Sequence, residues 1–225
     1  MKRRTFGNYT SLFFLAVVLF LLSSGCATFY ATCAPTACDK TACLQPPCKL
    51  PWKTGERPVD WAIPMKHTCD VPNFYKINDN LYRSGQPTEC GLTQLKEMEI
   101  RTIINLKEKV FPWTKDEEVS EGLTIIRVPM NGGFIKDDEV TKKAVLKVIN
   151  ILKDKNKGRV LIHCQHGSDR TGLMCAMYRI LEQGWTKEKA IDEMVNGGYG
   201  FHYDFFINII NYIESADIKA LHFES

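Results

Sequence analysis

The chain has 225 residues, enough for one domain and an appendage. Apolar residues make up 44% and charged residues 24%, which excludes wholesale disorder. The net charge of +3, from 29 Lys+Arg against 26 Asp+Glu, lacks the concentrated basic surplus of a nucleic-acid binder, and neither G-x-x-x-x-G-K-[ST] nor G-x-G-x-x-G occurs.

Lys2, Arg3 and Arg4 open the chain, and the apolar, uncharged run Leu12–Leu22 follows before Ser23, Ser24, Gly25 and Cys26. A basic start, a short apolar stretch and small residues predict a secretory signal peptide over 1–25. The run is short of the ~20 residues that a bilayer-spanning helix needs. Ser23-Ser24-Gly25-Cys26 also resembles a bacterial lipobox, whose cysteine is lipidated on sulfur and becomes the new N-terminus; Ser23 departs from the Leu preferred at that place. The expectation is an exported protein, lipidated at Cys26 and held on a membrane facing the periplasm or exterior. Simple secretion and an uncleaved anchor are the alternatives.

Residues 26–72 read as a linker. Cys33, Cys38, Cys43 and Cys48 recur every five residues among Ala, Thr and Pro, with no helical or strand period. In an oxidising compartment they can pair, and four cysteines allow three connectivities. Their spacing is not that of a zinc site. Pro51–Val71 continues irregular, and Trp52 and Trp61 predict partial packing on the domain.

The domain, residues 73–225, alternates strands and helices. Phe74–Ile77 and Leu81–Arg83 read as strands around the turn Asn78-Asp79-Asn80, and Thr93–Met98 as a short helix capped by Thr88 or Thr93. Arg101–Leu106 is a buried-type strand, Thr114–Ser120 a short helix and Leu123–Val128 a strand. Asp137–Leu152 carries apolar residues at helical spacing, with acids in the first turn. Arg159–His163 is the next strand, and helices follow over Thr171–Glu182, Lys187–Val195 and Phe205–Ser215. The pattern predicts an α/β fold with a mainly parallel central sheet flanked by helices.

Between the strand Arg159–His163 and its following helix lies Cys164-Gln165-His166-Gly167-Ser168-Asp169-Arg170-Thr171-Gly172. A strand, a tight loop and a helix N-terminus form an anion site: loop N–H groups converge and the helix dipole adds positive potential. Gly167 supplies backbone freedom, and the Arg170 fork grips two phosphate oxygens. Cys164 sits where that field holds a thiolate, poised as a nucleophile. A buried inert cysteine is the plain alternative for Cys164, and Cys175 reads as core.

His163-Cys164-x₅-Arg170-Thr171-Gly172 resembles the signature of the cysteine-dependent tyrosine and dual-specificity phosphatases. Leu81-Tyr82-Arg83-Ser84-Gly85-Gln86-Pro87 and Ile103-Ile104-Asn105-Leu106 resemble the opening of small atypical dual-specificity enzymes, and the likeness spans Phe74–Gly200. The resemblance implies that Cys164 attacks phosphorus and forms a phosphocysteine that water hydrolyses. Arg170 and the amides of Gln165 through Arg170 would hold the phosphoryl oxygens. Thr171 would donate to the departing thiolate, and His163 would either orient the loop or stand as a satisfied core histidine. No metal or cofactor is implied.

The leaving alcohol needs a proton. Relatives carry an Asp on an upstream loop, but here Pro129–Asp138 has Asn131 near that place. Asp169 resembles the acid of myotubularin-type lipid phosphatases and is favoured; Asp137 and Asp138 are alternatives that also read as helix-start acids. Gly132-Gly133 would let the upstream loop move. His166 faces either substrate or solvent, and Lys107 and Lys109 either add positive potential at the mouth or form a solvated face. The sequence therefore predicts a phosphatase of phosphorylated proteins. Its rivals are a phosphoinositide or inositol-phosphate phosphatase, a phosphate-binding module without turnover, and a structural lipoprotein with a vestigial domain.

Overall fold

The computed structural model describes residues 56–65, 70–108, 117–120 and 122–224. The signal-like start, Cys26, the stretch with Cys33, Cys38, Cys43 and Cys48, Trp52 and Lys109 lie outside them. The described strands are β1 (Ile63–Pro64), β2 (Tyr75–Lys76), β3 (Leu81–Ser84), β4 (Ile100–Asn105), β5 (Glu117–Ser120), β6 (Leu123–Arg127) and β7 (Arg159–His163). They form one sheet in the order β1-β2-β3-β7-β4-β6-β5. The four inner strands β3, β7, β4 and β6 are mutually parallel, whereas β1, β2 and β5 add antiparallel edges.

Apolar runs on the inner strands bury side chains on both faces, as a parallel sheet covered by helices requires. The two-residue side-chain period sends Ile103 and Leu161 to one face, with Leu95 of α1 (Glu89–Glu97). Ile104 and Ile162 face the opposite way. They meet Val145 and Ile149 of α2 (Glu139–Lys153), Leu173 and Met177 of α3 (Asp169–Gln183), Met194 of α4 (Lys187–Asn196) and Ile213 of α5 (Tyr203–Ser215). A last helix, α6 (Ile218–Glu224), adds Leu221 to this cluster. Trp61 is buried too, so the end of the Pro-rich stretch packs as its tryptophan predicts.

The helix expected over Thr114–Ser120 is corrected: Glu117–Ser120 is strand β5, antiparallel to β6 from Glu117↔Ile126 to Ser120↔Leu123. The open edge of β6 offers backbone partners that outweigh a weak local preference. Strand β1 and helix α6 were not visible in the pattern. Elsewhere the caps are those the residues suggest: Thr88 accepts the Gly91 N–H at 3.1 Å, and Asp138 accepts the Thr141 N–H at 2.9 Å.

Register positions the site. Ser84 pairs with His163, His163 with Asn105, and Asn105 with Arg127. The carboxyl ends of all four parallel strands therefore stop at one level, and the loops after them share one edge, where open α/β sheets bind ligands.

Candidate active site

Cys164 follows the last residue of β7 and is buried. The Gly167 N–H donates to its Sγ at 3.3 Å, which closes the loop around the sulfur. Gly167 has φ +77°, and a Cβ there would stand 2.5 Å from the Gly85 nitrogen and the Ser84 carbonyl carbon. Both the conformation and the close approach demand glycine. The loop then enters α3 at Asp169, so the helix N-terminus faces the same space. Arg170 donates through one terminal nitrogen to the Met130 carbonyl at 3.2 Å, which ties it to the upstream loop.

Behind the loop stands a group to which the sequence reading assigned no role in the site. Arg83, at the end of β3, is buried and donates to the Gly167 carbonyl at 2.6 Å. Asn73 donates to the carbonyls of His166 and Tyr199, each at 2.9 Å, and Ser168 Oγ donates to Tyr199 O at 2.6 Å. Arg83 and Asn73 thus hold the Gly167 and His166 carbonyls, while Asn73 and Ser168 tie the loop to Tyr199. The Tyr199 hydroxyl donates at 3.0 Å to Glu193, whose carboxylate is paired with Arg179 at 2.8 Å.

Positive charge gathers beyond the strand ends, where Lys107 lies within electrostatic reach of Arg127, Arg170 and the Cys164 sulfur. Burial, with Arg127 and Arg170 after it, pulls the Lys107 ammonium below its ordinary pKa, while the Cys164 sulfur opposes that shift. Burial likewise drives the His163 imidazole down to about 4, so it is neutral near pH 7 and its Nδ1–H donates to the Cys164 carbonyl at 3.0 Å. The Thr171 hydroxyl is buried with no hydrogen-bond partner among the described residues, a donor held in reserve beside the loop.

Residues 69–220 match the model of the tyrosine phosphatase family. The chain belongs to that family. It is 33% identical over 150 residues to the dual specificity protein phosphatase TpbA of Pseudomonas aeruginosa, covering 66% of this chain and 65% of TpbA, so the match spans just under two thirds of that relative. An inositol diphosphatase of Arabidopsis thaliana is 27% identical over 161 residues, covering 69% of this chain and 77% of the plant protein. Among solved structures, TpbA in its cysteine-to-serine form in complex with pTyr superposes with a TM-score of 0.60 at 29% identity, covering 75% of this chain and 97% of that one.

Within this family member the acid candidates occupy different settings. Asp169 is buried, and His202 engages it with its backbone N–H at 2.9 Å and its Nδ1 at 3.0 Å. Asp138 is spent as the cap of α2; the Thr141 N–H is the main cause that holds its carboxyl below the ordinary range. Asp137 is exposed just before that cap. Asn131 accepts the Gly133 N–H and donates to Glu108 at 3.0 Å. The His166 ring is exposed, and burial of part of it, with His202 next, lowers its pKa. His202, Arg83, Asn73 and Tyr199 escaped the sequence reading of the site. Two local signals were present, polar Arg83 inside a buried strand and the glycine-flanked Tyr199 before His202.

Proposed function

We propose that the protein hydrolyses phosphomonoesters through a phosphocysteine, acting on phosphorylated tyrosine and other protein side chains. The observation that carries this reading is the Gly167 N–H directed at the buried Cys164 sulfur in a loop that ends at Arg170 and the start of α3. The thiolate attacks phosphorus in line, the alcohol leaves, and water then displaces the sulfur. Amides from Gln165 to Arg170 and the Arg170 fork hold the equatorial oxygens, so positioning and charge supply most of the catalysis. Thr171 donates to the departing thiolate. The proton for the leaving alcohol comes from the Asp169 side of the mouth. The pTyr complex of TpbA supports the choice of substrate.

The experiment is Cys164→Ser. Turnover of an aryl phosphate should disappear while binding of inorganic phosphate persists; comparable turnover in variant and wild type would refute the phosphocysteine.

A second reading, an inositol phosphate or diphosphate as substrate, is favoured by one observation. Arg127, Arg170 and the Cys164 sulfur all lie within electrostatic reach of Lys107, a concentration of positive charge that suits a substrate with more than one phosphate. The inositol diphosphatase relative points the same way. A panel of phosphotyrosine peptides against inositol phosphates separates the two.

Export and membrane attachment through Cys26 belong to the same proposal. They rest on the signal-like N-terminus and on Cys90, which is disulfide-bonded and therefore suits an oxidising compartment. Cys26→Ser should release the protein from membranes, with loss of the lipid mass from the mature N-terminus.

A further inference from the structure

We propose that Arg57, on the stretch that leads into the domain, is a positioning residue for the phosphate loop and acts on it through Tyr199. The inference rests on the reading of that loop as the phosphate site, and it supplies the outer end of the loop's support.

Three observations lead there. The first is what Arg57 holds. Its Nε donates to the Ala62 carbonyl at 2.9 Å and so closes the turn over residues 57–62. One terminal nitrogen donates to the Gly197 carbonyl at 2.8 Å, and the other donates to the Tyr199 hydroxyl at 3.0 Å. The guanidinium also stands 5.6 Å from the ring centres of Trp61 and Tyr199 and 5.4 Å from that of Tyr75, a cation among three aromatic rings. A planar fork with donors in fixed directions can serve three oxygens at once, which a point-charged ammonium does poorly.

The second is what Tyr199 holds. Its ring is buried and carries the Arg83 guanidinium at 3.6 Å, and Arg83 in turn holds the Gly167 carbonyl at 2.6 Å. Its own carbonyl accepts from Ser168 Oγ at 2.6 Å. Tyr199 therefore reaches the phosphate loop directly at Ser168 and through Arg83 at Gly167.

The third is how Tyr199 is kept in place. It lies after α4, outside helix and strand, between Gly198 with φ +80° and Gly200 with φ +72°. Glycine-flanked backbone has little stiffness of its own, so tertiary contacts must set the position of the ring. Arg57 spans this segment at two points, Gly197 and Tyr199. Glu193 accepts from the Tyr199 hydroxyl at 3.0 Å, and the Tyr75 ring packs edge-on at 4.7 Å. Arg57 also lies upstream of residues 69–220, which match the family, so this part of the support comes from the stretch before the family domain.

The competing role for Arg57 is a strut that docks the turn 57–62 and leaves the loop untouched. The test separates the two in the full chain, with equilibrium binding of inorganic phosphate and steady-state kinetics on an aryl phosphate. Arg57→Met should raise the phosphate Kd and the KM by about 3–10-fold, the factor expected for one net hydrogen bond. Arg57→Lys keeps the charge without the fork and should fall between Arg57→Met and wild type. In a Tyr199→Phe background, which lacks the hydroxyl that Arg57 holds, Arg57→Met should weaken phosphate binding much less than it does in wild type.

A lowered thermal midpoint with unchanged phosphate Kd and KM would overturn the proposal and leave Arg57 a strut. An equal effect of Arg57→Met with and without the Tyr199 hydroxyl would overturn the route through Tyr199. If Arg57→Met does not fold, Arg57→Lys and Tyr199→Phe, which keep most of the packing, carry the reading; wild-type phosphate affinity in both would refute it. The phosphate titration needs no turnover, so it reports on the loop whatever the chemistry. Failure of the phosphocysteine reading is recognised separately, because Cys164→Ser would then still turn over the aryl phosphate.

Discussion

The guanidinium of Arg83 stacks 3.6 Å from the centre of the Tyr199 ring while one of its nitrogens holds the Gly167 carbonyl at 2.6 Å. A buried cation is costly unless its charge is compensated. Here the aromatic face and the loop carbonyls supply that compensation, and the loop receives its shape in return. The Arg83 Nε has no hydrogen-bond partner among the described residues, so packing against Tyr199 and the terminal nitrogens carry the contact.

Arg83→Met should therefore keep the fold and lose the loop. The methionine fills much of the same space but cannot hold the Gly167 carbonyl. We expect kcat/KM for an aryl phosphate to fall by about 10–10² and inhibition by inorganic phosphate to weaken in step, as loss of one charge-assisted hydrogen bond predicts. Steady-state kinetics with phosphate as competitive inhibitor measure both. Unchanged phosphate inhibition would show that the loop keeps its shape without Arg83.

Gly167→Ala tests the loop from the inside. The new Cβ would lie 2.5 Å from backbone atoms of Ser84 and Gly85, and the φ of +77° would be strained for alanine. Forcing a residue into such a conformation costs roughly 1–3 kcal/mol. Phosphate binding should be lost and the thermal midpoint lowered. A variant with wild-type phosphate affinity would contradict the close approach of the loop to the end of β3.

The inner strands and the nucleophile loop were legible because their signals are local. The run RVLIH has the apolar continuity of a buried parallel strand, and Cys164, Gly167 and Arg170 stand at fixed spacing in one short segment. What escaped was assembled by the fold from distant segments. Arg83 reaches Gly167 across 84 positions, and His202 reaches Asp169 across 33. No pattern within a segment announces such a contact. Strand β5 escaped for the same reason: Glu117–Ser120 gains its backbone partners from β6.

Glu193 anchors the second support of the site. Its carboxylate accepts from Arg179 at 2.8 and 2.9 Å, from the Ala62 N–H at 2.6 Å and from the Tyr199 hydroxyl at 3.0 Å, all in a buried setting. Glu193→Leu would strand the Arg179 charge and two further donors. Breaking one partner of a buried pair typically costs about 3–5 kcal/mol. Chemical denaturation should show a loss of that order, whereas Glu193→Gln, which still accepts hydrogen bonds, should lose less. Equal stability of the Leu variant and wild type would mean that solvent reaches Arg179.

Stability depends on pH through His163. Burial holds the His163 imidazole at about 4 in the folded protein against an ordinary 6.5. The unfolded chain therefore takes up a proton near pH 6.5, while the folded chain resists until near pH 4. The contribution to stability is fully present above pH 6.5 and is lost as the pH falls toward 4. The gap corresponds to on the order of 3 kcal/mol. Carboxylates that the fold holds low, such as Asp138, lose their contributions as the pH falls through and below their ordinary value of 3.8, so the upper part of the window belongs mainly to histidine. His166 acts in the same direction, since its pKa is also lowered, but its ring is exposed and its share is smaller. Urea denaturation between pH 4 and 7 should thus show wild type losing stability steeply toward acid. His163→Gln cannot take up the proton, so its stability should change much less over that interval, while His166→Gln should track wild type. Parallel curves for wild type and His163→Gln would show that the His163 ring is open to protonation in the folded protein, and with it that the hydrogen bond to the Cys164 carbonyl does not seal the floor of the loop.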